Sequence, residues 1–139
     1  KTPFEIGKAQ IFWESKKPKV GIIATGALLY KALEAAKELE ESDVEVEVMN
    51  LSTIKPLDER AIVALAEKAG RIITVEEHQI RGGMGSAVAE CLAKNFPVPI
   101  EFIGVDDQFG QSGTPEELIE HYGMGKSAIL AAVKRILKR

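Results

Sequence analysis

The chain runs to 139 residues, 45% of them hydrophobic and 28% charged, with a formal net charge of −3. That length suits one domain with a single substantial core, and the balance excludes a disordered or fibrous chain. An acidic net charge also excludes the broad basic face of a nucleic-acid binder.

In chain order, FEIGKAQIFWE (Phe4–Glu14) reads as extended and suits an additional edge strand, within a lead-in covering residues 1–18. The sequence opens KTPFEIG without Met, which points to an excised or processed piece. Lys19–Thr25 (KVGIIAT) is short, apolar and β-branched, bounded by Pro18 and Gly26, as a buried strand should be. Leu29, Ala32, Leu33, Ala36 and Leu39 then recur at helical spacing. Val44–Met49 (VEVEVM) alternates, which predicts a strand with one wet face. The loop NLSTIKPLD leads into a helix carrying Ile62, Leu65, Ala66 and Ala69, stopped by Gly70. Arg71–Val75 (RIITV) is a further strand, Met84, Ala87, Val88, Cys91 and Leu92 a further helical stripe, and Pro97–Val105 contains the next strand. Beyond the polar loop DDQFGQSGT, Thr114-Pro115-Glu116-Glu117 has the pattern of a capped helix start, with Gly123 as its stop. Ile129, Leu130, Val133, Ile136 and Leu137 define a last helix, whose basic end KRILKR complements the helix dipole.

Alternating strands and helices predict a mostly parallel sheet with helices on both faces, in one domain over residues 1–139. No apolar run approaches the roughly 20 residues needed to cross a membrane, and no signal peptide is visible. The single Cys91 excludes an internal disulfide and fits a reducing, cytoplasmic setting. Its place in an apolar stripe makes it a core residue rather than a nucleophile.

The stretch with most chemistry is Val75–Glu90 (VEEHQIRGGMGSAVAE), where two carboxylates, a histidine, an arginine and three glycines separate strand from helix. A strand, glycines and a helix N-terminus can cradle phosphate. However, Val88 stands where a dinucleotide fingerprint needs its third glycine, and no Lys-Ser/Thr completes a P-loop. Glu76, Glu77 and His78 could hold a metal, but neighbours on an extended chain point apart. His78 could serve as acid or base just past the carboxyl end of a parallel strand, or stand as a surface histidine bonded to its loop. Gly82, Gly83 and Gly85 allow positive φ and a close approach of helix to strand.

VEEHQIRGGMGSAVAE and IGVDDQFGQSGTPEELIEHYGM (Ile103–Met124) together resemble the C-terminal domain of transketolase-type thiamine diphosphate enzymes. TGALLYKALEAAKELEE (Thr25–Glu41) and NLSTIKPLDERAI (Asn50–Ile62) match the same domain in the same order, and FEIGKAQ resembles the handover from a preceding pyrimidine-binding domain. The separately encoded transketolase C-terminal section is most similar; 1-deoxyxylulose-5-phosphate synthases and the β subunits of 2-oxoacid dehydrogenases share the domain. The resemblance implies a three-layer α/β/α fold with a five-stranded mixed sheet, mostly parallel, in which the first strand is antiparallel. It implies a structural and dimer-forming part of an enzyme that moves two-carbon ketol units between sugar phosphates. In the complete enzyme, thiamine diphosphate and Mg lie between the pyrimidine- and diphosphate-binding domains, which are the implied partners within a homo-oligomer. The GDG stretch that carries the metal is missing here, so this chain alone should hold no cofactor and be inactive. On that reading His78 reaches toward the substrate channel, and Glu77, Gln79, Arg81, Gly82, Gly83, Gly85 and Phe109 shape the loops and interface. An autonomous nucleotide-binding module stands as the reading from a different class.

Overall fold

The first strand of the sheet, β1 (Gln10–Trp13), lies antiparallel against β3 (Val46–Asn50), and β2 (Val20–Ala24), β4 (Ile72–Glu77) and β5 (Ile100–Val105) continue it in parallel. The order across the five strands is β1-β3-β2-β4-β5. Four helices accompany them: α1 (Leu28–Glu41), α2 (Glu59–Ala69), α3 (Met84–Asn95) and α4 (Pro115–Ile136). This computed structural model describes residues 8–26, 28–52, 54–77, 83–105 and 115–139, with side chains in the last stretch from 125 onward.

Period-two alternation divides each interior strand between two cores. Val20, Ile22, Ala24, Val46, Val48, Ile73 and Val75 face α1 and α4, where Ala32, Ala36, Ile129 and Val133 meet them. Ile23, Met49 and Ile72 face α2 and α3, against Ile62, Leu65, Met84, Val88 and Leu92. Together the two layers of helices and the sheet make the expected three-layer α/β/α arrangement. The small alanines let α1 lie close to the β-branched surface of the sheet, where dispersion contacts are densest.

Helix α2 is fixed at both ends. Asp58 caps it through a bond from the Ala61 N–H at 3.2 Å, while its other oxygen accepts from the Ala9 N–H at 2.8 Å and so ties the approach to β1. Gly70 closes the helix at φ 77°, its N–H reaching the Ala66 carbonyl at 2.8 Å, as the sequence predicts.

Two expectations are corrected. Strand β3 keeps no wet face: Val46 to Met49 are all buried, because β1 pairs outside β3 and α2 covers it. Its Glu47 is only 4% exposed and bonds Lys68 Nζ at 2.7 Å and the Ser15 N–H at 3.2 Å. Nor does Gly123 end a helix, since α4 runs unbroken through both Gly123 and Gly125. A glycine costs an interior helix position about 1 kcal/mol, too little to break 22 residues that dock on a sheet. Gly125 is buried, and a Cβ there would already lie 3.5 Å from Val105 Cγ1 and 3.6 Å from the Lys31 side chain. The cap expected at Thr114 lies outside the described residues.

Gly21 in β2 is where sheet and α2 approach most tightly. A Cβ there would stand 2.6 Å from Leu65 Cγ, 2.8 Å from Leu65 Cδ2 and 3.0 Å from Ile72 Cδ1. Gly21→Ala is therefore expected to lower the unfolding free energy by about 1–3 kcal/mol, as overpacked cores do, read from the urea midpoint at unchanged slope.

Candidate functional site

Strand β4 carries Ile73 and Val75 into the α1/α4 core, and Ile72, Thr74 and Glu76 toward α2 and α3. Glu76 is a carboxylate 4% exposed at the carboxyl end of a central strand. Its Oε1 accepts from the Met84 N–H at 3.3 Å and its Oε2 from the Gly85 N–H at 3.0 Å. These are the first N–H groups of α3, whose own N-cap position, Gly83, offers no side chain. The strand thus supplies the cap that the helix lacks, and the negative charge faces the positive end of the helix dipole.

Gly85 makes that contact possible. A Cβ on it would lie 2.6 Å from Glu76 Oε2, 3.1 Å from Phe102 Cδ1 and 3.2 Å from Thr74 Oγ1. The expected close approach of helix to strand is therefore found at Gly85. Gly83 stands at φ −92°, within the range open to any residue, so it supplies no left-handed turn. Thr74 Oγ1 is buried beside this contact and has no hydrogen-bond partner among the described residues. Phe102, paired with Thr74 across β4 and β5, is 58% exposed next to it.

Of the loop and interface residues expected from sequence, Glu77, Gly83 and Gly85 are described. Glu77 ends β4 half-buried and, by alternation, on the face opposite Glu76. His78, Gln79, Arg81, Gly82 and Phe109 lie outside the described residues. Sequence reasoning considered Glu76 only as a metal ligand and missed its role as a cap. Two signals mark that role: an acid at the last inward position of a strand, and a following helix that starts on glycines with no Ser, Thr, Asp or Asn before it.

The arrangement narrows the chemistry available here. Both oxygens of Glu76 are committed to α3, and no group of three or more His, Cys, Asp or Glu converges on a metal position among the described residues. A phosphate at the start of α3 would have to displace a buried carboxylate from the same N–H groups, which disfavours a nucleotide site. A groove of about 480 Å³ lined by Trp13, Glu14, Glu40, Asp43 and Glu45 lies at the amino end of β3, far from this segment. Open parallel sheets place ligands at the opposite, carboxyl end. In the groove, the Ser15 hydroxyl bonded to Glu45 holds that carboxyl below its usual range.

Cys91 is buried in α3, where Asn95 Nδ2 donates to its carbonyl at 2.7 Å. Burial, reinforced by the Glu59 carboxylate, pushes its thiol up.

The family model described as "Transketolase, C-terminal domain" matches residues 7–129. Among curated proteins, the chain is 40% identical over 136 residues to a 6-deoxy-6-sulfo-D-fructose transketolase subunit of Clostridium sp. (strain MSTE9), covering 98% of this chain and 42% of that protein. It is 39% identical to one of the apulose-4-phosphate transketolase subunits of Phocaeicola vulgatus, covering 98% of this chain and 43% of that one. A solved structure of a split-gene transketolase in an inactive β4 tetramer superposes with a TM-score of 0.83 at 41% identity, over 99% of this chain and 44% of the other. The chain thus spans less than half the length of each of these relatives.

A thiol whose pKa is pushed up stays protonated, hence unreactive, at neutral pH. Cys91 should resist iodoacetamide in the native chain near neutrality and be alkylated quickly once denaturant unfolds it, as intact mass will record.

Proposed function

This chain belongs to the transketolase C-terminal domain family, and from that premise we propose that it is the structural and dimer-forming part of an enzyme moving two-carbon ketol units between sugar phosphates. The observation that carries the reading is the filled N-terminus of α3. The strand–glycine–helix junction that could grip a diphosphate is occupied by the chain's own Glu76. Thiamine diphosphate therefore does not fit the start of α3, and the sequence has no GDG stretch for its metal. Cofactor and chemistry belong to pyrimidine- and diphosphate-binding domains, which this chain completes.

Two of the relatives are named as transketolase subunits and span more than twice the aligned length, which supports an activity shared with other domains. Their names also favour ketol transfer over the deoxyxylulose-phosphate synthase and oxoacid dehydrogenase reactions. The relative solved as an inactive β4 tetramer supports self-association without catalysis. Within the assembly we assign Glu77, Gln79, Arg81 and the adjoining glycines to shaping the approach to the active site, His78 to the substrate channel and Phe109 to the interface.

The test is reconstitution. The chain alone should show no thermal shift with thiamine diphosphate and Mg, and no turnover. Joined to its pyrimidine- and diphosphate-binding domains, it should transfer a ketol unit from a ketose phosphate to an aldose phosphate. Tight binding of the coenzyme by the chain alone would sink the proposal, and a shift with NAD or a nucleotide would favour a binding module instead. In the assembled enzyme, His78→Ala is expected to lower kcat/KM about tenfold, the loss of one transition-state contact; unchanged kcat and KM would remove His78 from the mechanism.

A further inference from the structure

An open sheet ends in two edge strands, and natural chains blunt such edges with charge, proline or a cover. The edge at β5 is blunted. Its Ile100 carbonyl accepts from Arg139 Nη1 at 3.3 Å, and its Glu101 pairs with Arg135 and Arg139. The edge at β1 has no such device among the described residues: its stretch QIFW holds neither charge nor proline, and β3 is its one neighbour in the sheet. Ile11 is 43% and Phe12 49% exposed there, and Phe12 has no partner on β3, where the register shifts. An apolar recess of about 300 Å³, lined chiefly by Met49, Ala61, Ala64 and Leu65, opens beside Ile11. We infer that the β1 edge is where a second copy of this chain docks, antiparallel to the first, with Lys8 of each copy placed at the acidic groove of the other. This deepens the self-association reading above and rests on it.

Symmetry and charge choose that occupant. A strand edge laid antiparallel on its own copy is self-complementary, so the contact closes on two chains. It also brings the start of one β1 beside the end of the other. At that end lies the groove of about 480 Å³, where Glu14, Glu40, Asp43 and Glu45 stand against one lysine, Lys16. The start of β1 supplies the opposite sign. Lys8 is exposed and in no ion pair among the described residues.

The two charges lie on the same face of the sheet. Ala9 packs toward α2 and α3, so alternation turns Lys8 toward the α1 side. Trp13, which lines the groove, packs on that α1 side as well. A register shift raises local twist, so the ladder between copies is short. The exposed apolar pair at its centre supplies burial, and the charges at its two ends set the alignment.

Sedimentation equilibrium of the chain over a concentration series tests this. The native chain should dimerise, more weakly as salt rises. Lys8→Glu and Glu40→Lys, both at exposed positions, should each weaken dimerisation at least about tenfold, because each sets like charges together twice. Mixed in equal amounts, these two variants should associate within about threefold of the native chain, since each then meets the opposite sign at both ends. Ile11→Lys should abolish the dimer with its circular dichroism unchanged. Amide exchange within Ile11–Trp13 should slow as the native chain is concentrated. Failure of the mixture to recover, or exchange independent of concentration, overturns the inference. Dimerisation untouched by all three substitutions overturns it too, and leaves self-association standing through another surface. Should Ile11→Lys spare the dimer but block reconstitution with the pyrimidine- and diphosphate-binding domains, the edge belongs to a domain contact and the inference is again overturned. A native chain monomeric at every concentration removes both the inference and the self-association reading, while ketol transfer by the assembled enzyme is still decided by its own assay.

Discussion

The Glu76 carboxylate, held between a central strand and the start of a helix, is the contact on which the rest of the molecule's design turns. Withdrawing an ionised carboxylate from water costs several kcal/mol unless donors replace the solvent. Here the replacements are two backbone N–H groups at the positive end of α3, which need a partner in any case. Each solves the other's difficulty. The geometry demands a glycine at position 85, and the glycines that first suggest a phosphate cradle follow from this demand at that position. An anion site and an internal carboxylate cap use the same donors, so the start of α3 cannot have both.

The same device recurs along one side of the sheet. Asp58 caps α2 and holds the Ala9 N–H, Glu47 binds Lys68 from α2, and Glu76 caps α3. All three join the sheet or its edge to the α2/α3 layer through a carboxylate. The α1/α4 side is different: its buried contacts are aliphatic, with alanines on α1 setting the spacing. Its polar links lie toward the rim: Arg71 Nε donates to the Ile136 carbonyl at 3.1 Å, and Glu101 pairs with Arg135 and Arg139, where exposed pairs contribute little. Both layers are held by aliphatic burial, and the α2/α3 layer adds buried carboxylate bonds to it.

The sequence discloses elements wherever local chemistry and tertiary context agree. The β-branched run of β2, the stripe of α2 with its Gly70 stop, and the antiparallel β1 are all legible, the last through family resemblance as much as pattern. Glu47 misleads because alternation normally reports a wet face, whereas β1 and a lysine near the end of α2 convert that face to interior. Gly123 misleads because a stop signal worth about 1 kcal/mol is weighed without the sheet on which α4 docks. Glu76 is invisible to a local reading for another reason: its partners are eight and nine residues away, across a segment whose length does not by itself specify return to the strand. The motif order, by contrast, identifies the family without any of these details.

Function is legible here through what the chain carries of a family, and mechanism through what it withholds. A chain that spans less than half of its relatives need not contain the groups that react, but it must contain surfaces and loops held accurately enough to serve them. Accuracy of that kind requires over-determined backbone: a strand paired on both sides, a helix seated in a core, and a bond between them that tolerates little change. At the carboxyl end of β4 such a bond joins the strand, there still paired with β5, to the seated helix α3. Phe102, 58% exposed beside Gly85, shows that the surface there is not sealed by the chain itself. A carboxylate tie beside an uncovered aromatic leaves a surface at the carboxyl end of β4 that the chain itself does not cover.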